Sequence, residues 1–191
     1  MRYILNENFD TNKMGWNEER TKAHKMEISQ GFLYIYSYDT SASRSSNYPM
    51  DNSFLLDFPA DYDISSAITL LNHSSAAEFG IILISGSLEY KISVNDSGIS
   101  SIREWDYNRK SEILIVSKSI NIKFDKPTVV FELKVRSRDF ELYVNNEKIG
   151  EGNLKSKSWR EIRIFTSSGS AIAADYLRIK NVDLDDAERP K

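Results

Sequence analysis

The stretch FELKVRSRDFELYVNNEKI, residues 131–149, constrains the fold more than any other part of the chain. Phe131, Leu133 and Val135 alternate with Glu132, Lys134 and Arg136. After a short polar break, Phe140, Leu142 and Val144 alternate with Glu141, Tyr143 and Asn145. A period of two puts all the apolar side chains on one face and the polar ones on the other, as in an antiparallel sheet with one wet face. RSRD and NNEK supply the breaks, and Asn145 and Asn146 tolerate the left-handed backbone of a tight turn. The pattern predicts a β-hairpin followed by a second turn.

The same alternation recurs at 31–39, 53–58, 66–72, 79–85, 88–94, 99–105, 112–117, 159–166 and 174–182. Together with the hairpin this makes roughly a dozen short strands separated by turn signals, the pattern of a sandwich or barrel. The richness in aromatics (10 Tyr, 9 Phe, 3 Trp) suits strands. The nearest approach to a helix, residues 17–28, has too few apolar residues to bury a face. The expected architecture is all-β: a two-sheet antiparallel β-sandwich forming one domain over residues 1–182, with 183–191 an acidic flexible tail. The polar segment 37–53 reads as a long surface loop, and Asp61-Tyr62-Asp63 as a turn leading into a strand.

Three segments carry a resemblance. The opening ENFDTNKMGW (7–16), the hairpin at 131–149 and the close IAADYLRI (172–179) resemble concanavalin A-like jelly-roll domains of bacterial proteins. The chain is similar to a LamG-like domain, or to a glycoside-hydrolase-family-16-like domain without the catalytic motif. That resemblance implies a convex and a concave sheet, an opening segment lying beside the closing strand, Trp16 in the core, and Asp175 anchoring the closing strand by a hydrogen bond. Two turns depart from the family pattern: its usual glycine is replaced within RSRD, and its usual Asn-Gly is Asn145-Asn146. The fold carries lectins, glycosidases and interaction modules alike, so function must be argued from side chains.

Those side chains first exclude several chemistries. A net charge of −3 without a basic stripe disfavours nucleic acid as a partner. No cysteine is present for a disulfide or a thiolate metal site. The first residues contain no apolar run of signal-peptide type, and no window approaches the ~20 apolar residues of a membrane span, so the expected location is cytoplasmic with no membrane partner. Glycosidases of the related branch place carboxylates on one strand face as Glu-x-Asp-x-Glu, and that triplet is missing here. His24 and His73 lack the partners of a hydrolytic triad and read as solvent-exposed. No cofactor is expected. Calcium is conceivable through oxygen ligands such as Asp10, Asp57 and Asp175, though nothing in their spacing supports it.

Binding is the remaining chemistry. Arg103, Trp105 and Tyr107 alternate onto one strand face, and Trp159, Arg163 and Glu78 join them if their strands face the same way. An aromatic surface flanked by polar groups suits sugar rings, which present apolar faces and hydroxyl edges. The leading expectation is therefore a non-catalytic module that binds carbohydrate or another ligand on the concave sheet. The alternative is a protein-interaction module with a protein partner, such as a cytosolic immunity or adaptor protein. A cryptic glycoside hydrolase is the third reading.

Overall fold

The computed structural model describes residues 2–38, 44–49, 61–73, 77–122, 127–156 and 159–182. Fifteen strands build two antiparallel sheets: β1 (Arg2–Glu7), β2 (Glu19–Arg20), β3 (His24–Ser29), β4 (Phe32–Ser37), β5 (Arg44–Pro49), β6 (Asp61–His73), β7 (Glu78–Ser85), β8 (Leu88–Asn95), β9 (Ile99–Asp106), β10 (Ser111–Ser119), β11 (Thr128–Arg136), β12 (Asp139–Val144), β13 (Glu147–Asn153), β14 (Glu161–Thr166) and β15 (Ser170–Asn181). The nine-stranded sheet runs β13-β12-β11-β6-β15-β4-β3-β2, with β1 also paired to β15; the six-stranded sheet runs β10-β9-β8-β7-β14-β5. The architecture is the expected all-β sandwich. Among the described residues no helix is long and apolar enough to cross a membrane.

The hairpin folds as its alternation dictates. Phe131, Leu133, Val135, Phe140, Leu142 and Val144 are all buried between the sheets. Arg136 faces Asp139 across the first turn, where Ser137 alone adopts a positive φ, of 60°. Val144 faces Glu147 across the second, where Asn145 and Asn146 have φ of 50° and 66°, the two-residue pattern of a type I′ turn. Asn145 is also tied to β11, for its Oδ1 accepts the Val130 amide at 2.8 Å and its own amide donates to the Val130 carbonyl at 2.9 Å.

The chain ends meet as the resemblance implies, with β1 pairing along β15 from Arg2↔Asn181 to Glu7↔Leu177. The buried Glu7 carboxylate explains the opening motif. It accepts the Phe9 amide at 2.7 Å and the Trp16 indole at 3.3 Å, while the Phe9 and Trp16 rings pack edge to face, 5.5 Å apart. At the other side the two sheets close on each other through β10 and β13, where Gly150 leaves the space that the Val116 methyls fill.

Some local expectations are corrected. The segment 37–53 holds strand β5, which extends the six-stranded sheet by pairing with β14, so it is not simply a loop. Asp61 and Asp63 belong to the long strand β6, paired with β11 and β15, rather than to a turn. Residues 17–28 contribute two strands, β2 and β3. Asp175 lies exposed at a bulge between Ala174 and Tyr176 instead of anchoring the closing strand. His73 is exposed, but His24 is buried, with Nδ1 3.0 Å from Thr21 Oγ1 and Nε2 2.9 Å from Glu19. Residues 53–58, Asp57 and the segment 183–191 lie outside the described residues.

Candidate functional site

Strand alternation and register together set out the outer face of the six-stranded sheet. Tyr90, Ile92 and Val94 of β8 turn into the core, so Glu89, Lys91, Ser93 and Asn95 turn outward. On β14 the inward Ile162 and Ile164 leave Glu161, Arg163 and Phe165 on the opposite face, where the Phe165 ring is itself buried, with Lys91 Nζ 4.9 Å from its centre. On β9 the inward Ile102 and Glu104 leave Ser101, Arg103 and Trp105 outside, with Tyr107 just beyond the strand.

Register then aligns these residues into rows across the sheet. One row reads Leu114, Arg103, Lys91, Ile82, Arg163. The next reads Glu112, Trp105, Glu89, Ile84, Glu161, so a basic row lies directly beside an acidic one. A third runs Ser117, Ser101, Ser93, Gly80, Phe165. Most of these charges are paired within the face. Arg163 grips Glu161 through two bonds, of 2.8 Å and 3.0 Å. Glu78 accepts from Lys91, from Ser93 Oγ at 2.6 Å and from Arg103 at 3.4 Å.

Around the aromatic pair the contacts are equally specific. Trp105 is partly buried and meets Tyr107 edge to face, with centroids 6.3 Å apart. Tyr107, 50% exposed, donates its hydroxyl to Glu89 at 2.5 Å. That bond to a carboxylate, together with partial burial, pushes the phenol up to about 12. At the far end of the face, Glu78, Asn95, Ser101 and Arg103 line a depression of about 230 Å³.

Burial alone would raise the Glu78 carboxyl, but Lys91, Ser93 and Arg103 outweigh it and hold the group below its ordinary value of 4.5. A carboxyl lowered on folding contributes stability above its unfolded value and loses it as pH falls through the folded one. Glu78→Gln should therefore cost more stability at pH 7 than at pH 3, as denaturant titrations at the two pH values would show. An equal cost at both would remove the charge from the explanation.

Five of the six residues grouped by sequence thus share this face: Glu78, Arg103, Trp105, Tyr107 and Arg163. Trp159 does not. It is 1% exposed, inside the sandwich, with its indole donating to Tyr62 Oη at 2.8 Å and its ring edge to face with Tyr90 at 5.5 Å. Lys91, Glu89 and Glu161 were missed. Alternation in LEYKISV and WREIRIFT shows them pointing away from the core, but only the pairing register brings them beside Trp105 and Arg103. Among the described residues no three His, Cys, Asp or Glu side chains are grouped to hold a metal ion.

No protein-family model matches the chain, and no curated protein matches it by sequence. Solved structures do match it. A protein of unknown function with a galectin-like fold from Bacillus subtilis aligns with a TM-score of 0.69 at 7% identity, over 93% of this chain and 94% of that one. A family GH16 non-specific endo-β-1,3(4)-glucanase aligns with a TM-score of 0.65 at 8% identity, over 93% and 90%. The fold is a concanavalin A-like jelly roll. The GH43 protein BlXynB from Bacillus licheniformis also aligns, with a TM-score of 0.64 at 12% identity over 94% of this chain, but the chain spans only 39% of its length. These are likenesses of fold, and a jelly roll of this kind is compatible with either an enzyme or a non-catalytic module.

Proposed function

We propose that the jelly roll is a non-catalytic binding module that holds a carbohydrate on the outer face of its six-stranded sheet. The observation that carries this reading is the Trp105–Tyr107 pair, set among side chains already fixed by one another. An aromatic surface stacks the apolar face of a sugar, while Arg103, Lys91 and the neighbouring carboxylates are held ready for its hydroxyls. With Lys91, Arg103 and Arg163 each already paired to a carboxylate, an uncharged ligand is favoured over an anionic one.

The same pairing argues against hydrolysis. A glycosidase needs one carboxyl whose affinity for protons is raised so that it can act as an acid near neutrality. On this face Glu78 is shifted the opposite way, and Glu161 is locked to Arg163. Trp105→Ala should reduce affinity for a bound glycan by about tenfold or more while leaving the thermal midpoint nearly unchanged. A glycan array followed by calorimetric titration checks this, and an array on which the wild type binds nothing defeats the carbohydrate reading.

A second reading, a protein partner, has its own observation. β10 is an edge strand of the six-stranded sheet, and Ile113 and Leu114 on it are exposed, as is Ile99 at the start of β9. An exposed edge with apolar side chains can accept another strand. Pull-downs with the full chain test it, and the absence of any partner would count against it.

A further inference from the structure

The opposite side of the sandwich carries an aromatic row that the six-stranded face does not involve. In β4, Leu33 and Ile35 point into the core, which turns Phe32, Tyr34 and Tyr36 outward, with Tyr38 following just past the strand. Their rings succeed one another at centroid distances of 6.0, 6.1 and 6.2 Å, and the planes of Tyr34, Tyr36 and Tyr38 are close to parallel, at 11° and 19°. The surface beside this row is low. Ala173 lies opposite Tyr34 and Ala171 opposite Tyr36 on β15. Beyond the alanines, β6 places Thr69 and Asn72 in the same rows, and Thr69 Oγ1 is 2.8 Å from Thr128 Oγ1.

Tyrosines thus form one wall, alanine methyls the floor, and hydroxyl and amide groups the far wall. At one end the channel deepens into a cavity of about 450 Å³, lined by Tyr36, Tyr38, Asn72, His73, Ser170 and Ala171. Among the described residues no carboxylate, lysine or arginine lines it. Beside it, Lys25 lies 5.5 Å from the centre of the Tyr36 ring and is paired with Glu27 at 2.5 Å.

We propose that this channel is a second binding site, for a linear, uncharged oligosaccharide lying along Tyr34, Tyr36 and Tyr38. The lack of charge among the described lining residues disfavours ionic ligands, which would find no compensating charge there. The hydroxyls and amides along the walls would be left unpaired by a purely apolar protein segment. A sugar satisfies both requirements, with its C–H face on the phenol rings and its hydroxyls on Asn72, His73 and the tyrosine oxygens. The repeat of rings along the strand favours several linked units over a single one. This site is separate from the Trp105 face, and each can fail without the other.

The test is a titration of the isotope-labelled full chain with xylohexaose and, separately, laminarihexaose, followed by amide shifts. The expected result is saturable shifts at Tyr36, Asn72 and Ala171 with at least one sugar. Tyr38→Ala, at a side chain 56% exposed and so dispensable for folding, should weaken those shifts by about tenfold or more, whereas Trp105→Ala should leave them unchanged. Shifts confined to β8 and β9, no shifts with either sugar up to about 10 mM, or a Tyr38→Ala chain that binds like wild type would each overturn the proposal.

Discussion

Replacing Trp159 by alanine is expected to lower the free energy of unfolding by about 3–5 kcal/mol, and the thermal midpoint by roughly 6–20 °C. The ring fills space between the sheets that no neighbour can reclaim without moving a strand. Removing it opens a cavity and takes away the edge-to-face partner of Tyr90. It also takes the indole donor away from the Tyr62 hydroxyl, which is fully buried and already pushed well above the usual phenol range by burial. Damage should spread through the adjoining network, because Tyr90 donates to the buried Glu104 at 2.7 Å, accepts the Lys155 amide at 2.9 Å, and Glu104 is paired with Lys155. Trp159→Phe separates the two contributions, since it keeps much of the volume and loses the hydrogen bond. Guanidinium unfolding of both variants checks this. A loss below about 1 kcal/mol for Trp159→Ala would mean that the ring is not integral to the core.

Trp159 also shows where the sequence stops being legible. Its neighbours place it only by the alternation of WREIRIFT, and Trp159 precedes the first residue of β14. The period of two is not binding there. Within the strands it is binding, which is why Arg163, Arg103 and Glu78 could be assigned together and why the 131–149 hairpin was readable down to its turns. A strand fixes which way each side chain points but not which strand lies beside it. The row joining Arg163 to Arg103 passes through Ile82 and Lys91, and β14 reaches β7 only after residues 86–160 have intervened. Strand β5 was hidden for another reason. RSSNYP has neither apolar alternation nor high β-propensity, and its place at the edge of the sheet demands little of either. The tyrosines of β4 were visible as strand residues, but a stripe of rings becomes a surface only when the alanines of β15 are known to lie beside it.

Gly80 is the position where one added methyl group should disturb the proposed face most. It sits mid-strand in β7, between Ser93 on β8 and Phe165 on β14, with φ of 156°. A Cβ there would overlap the Ile92 carbonyl oxygen and press on the Ser93 Cα. Those obstacles are backbone, so a rotamer change cannot relieve them, and the β7–β8 ladder has to shift. Gly80→Ala is expected to cost about 2–5 kcal/mol, from overpacking together with backbone strain. Because Ser93 and Lys91 on the displaced strand both hold Glu78, the variant should also weaken glycan binding at the Trp105 face even under conditions where it is folded. Gly150→Ala is the control. There the obstacle is the Val116 side chain rather than backbone, and β10 and β13 share no ladder, so the cost should be that of overpacking alone, about 1–3 kcal/mol, and binding at the Trp105 face should be untouched. Equal costs for the two substitutions would contradict the claim that Gly80 is required by a backbone approach in the centre of the six-stranded sheet. Unchanged glycan affinity in folded Gly80→Ala would separate the register of that sheet from the chemistry it carries.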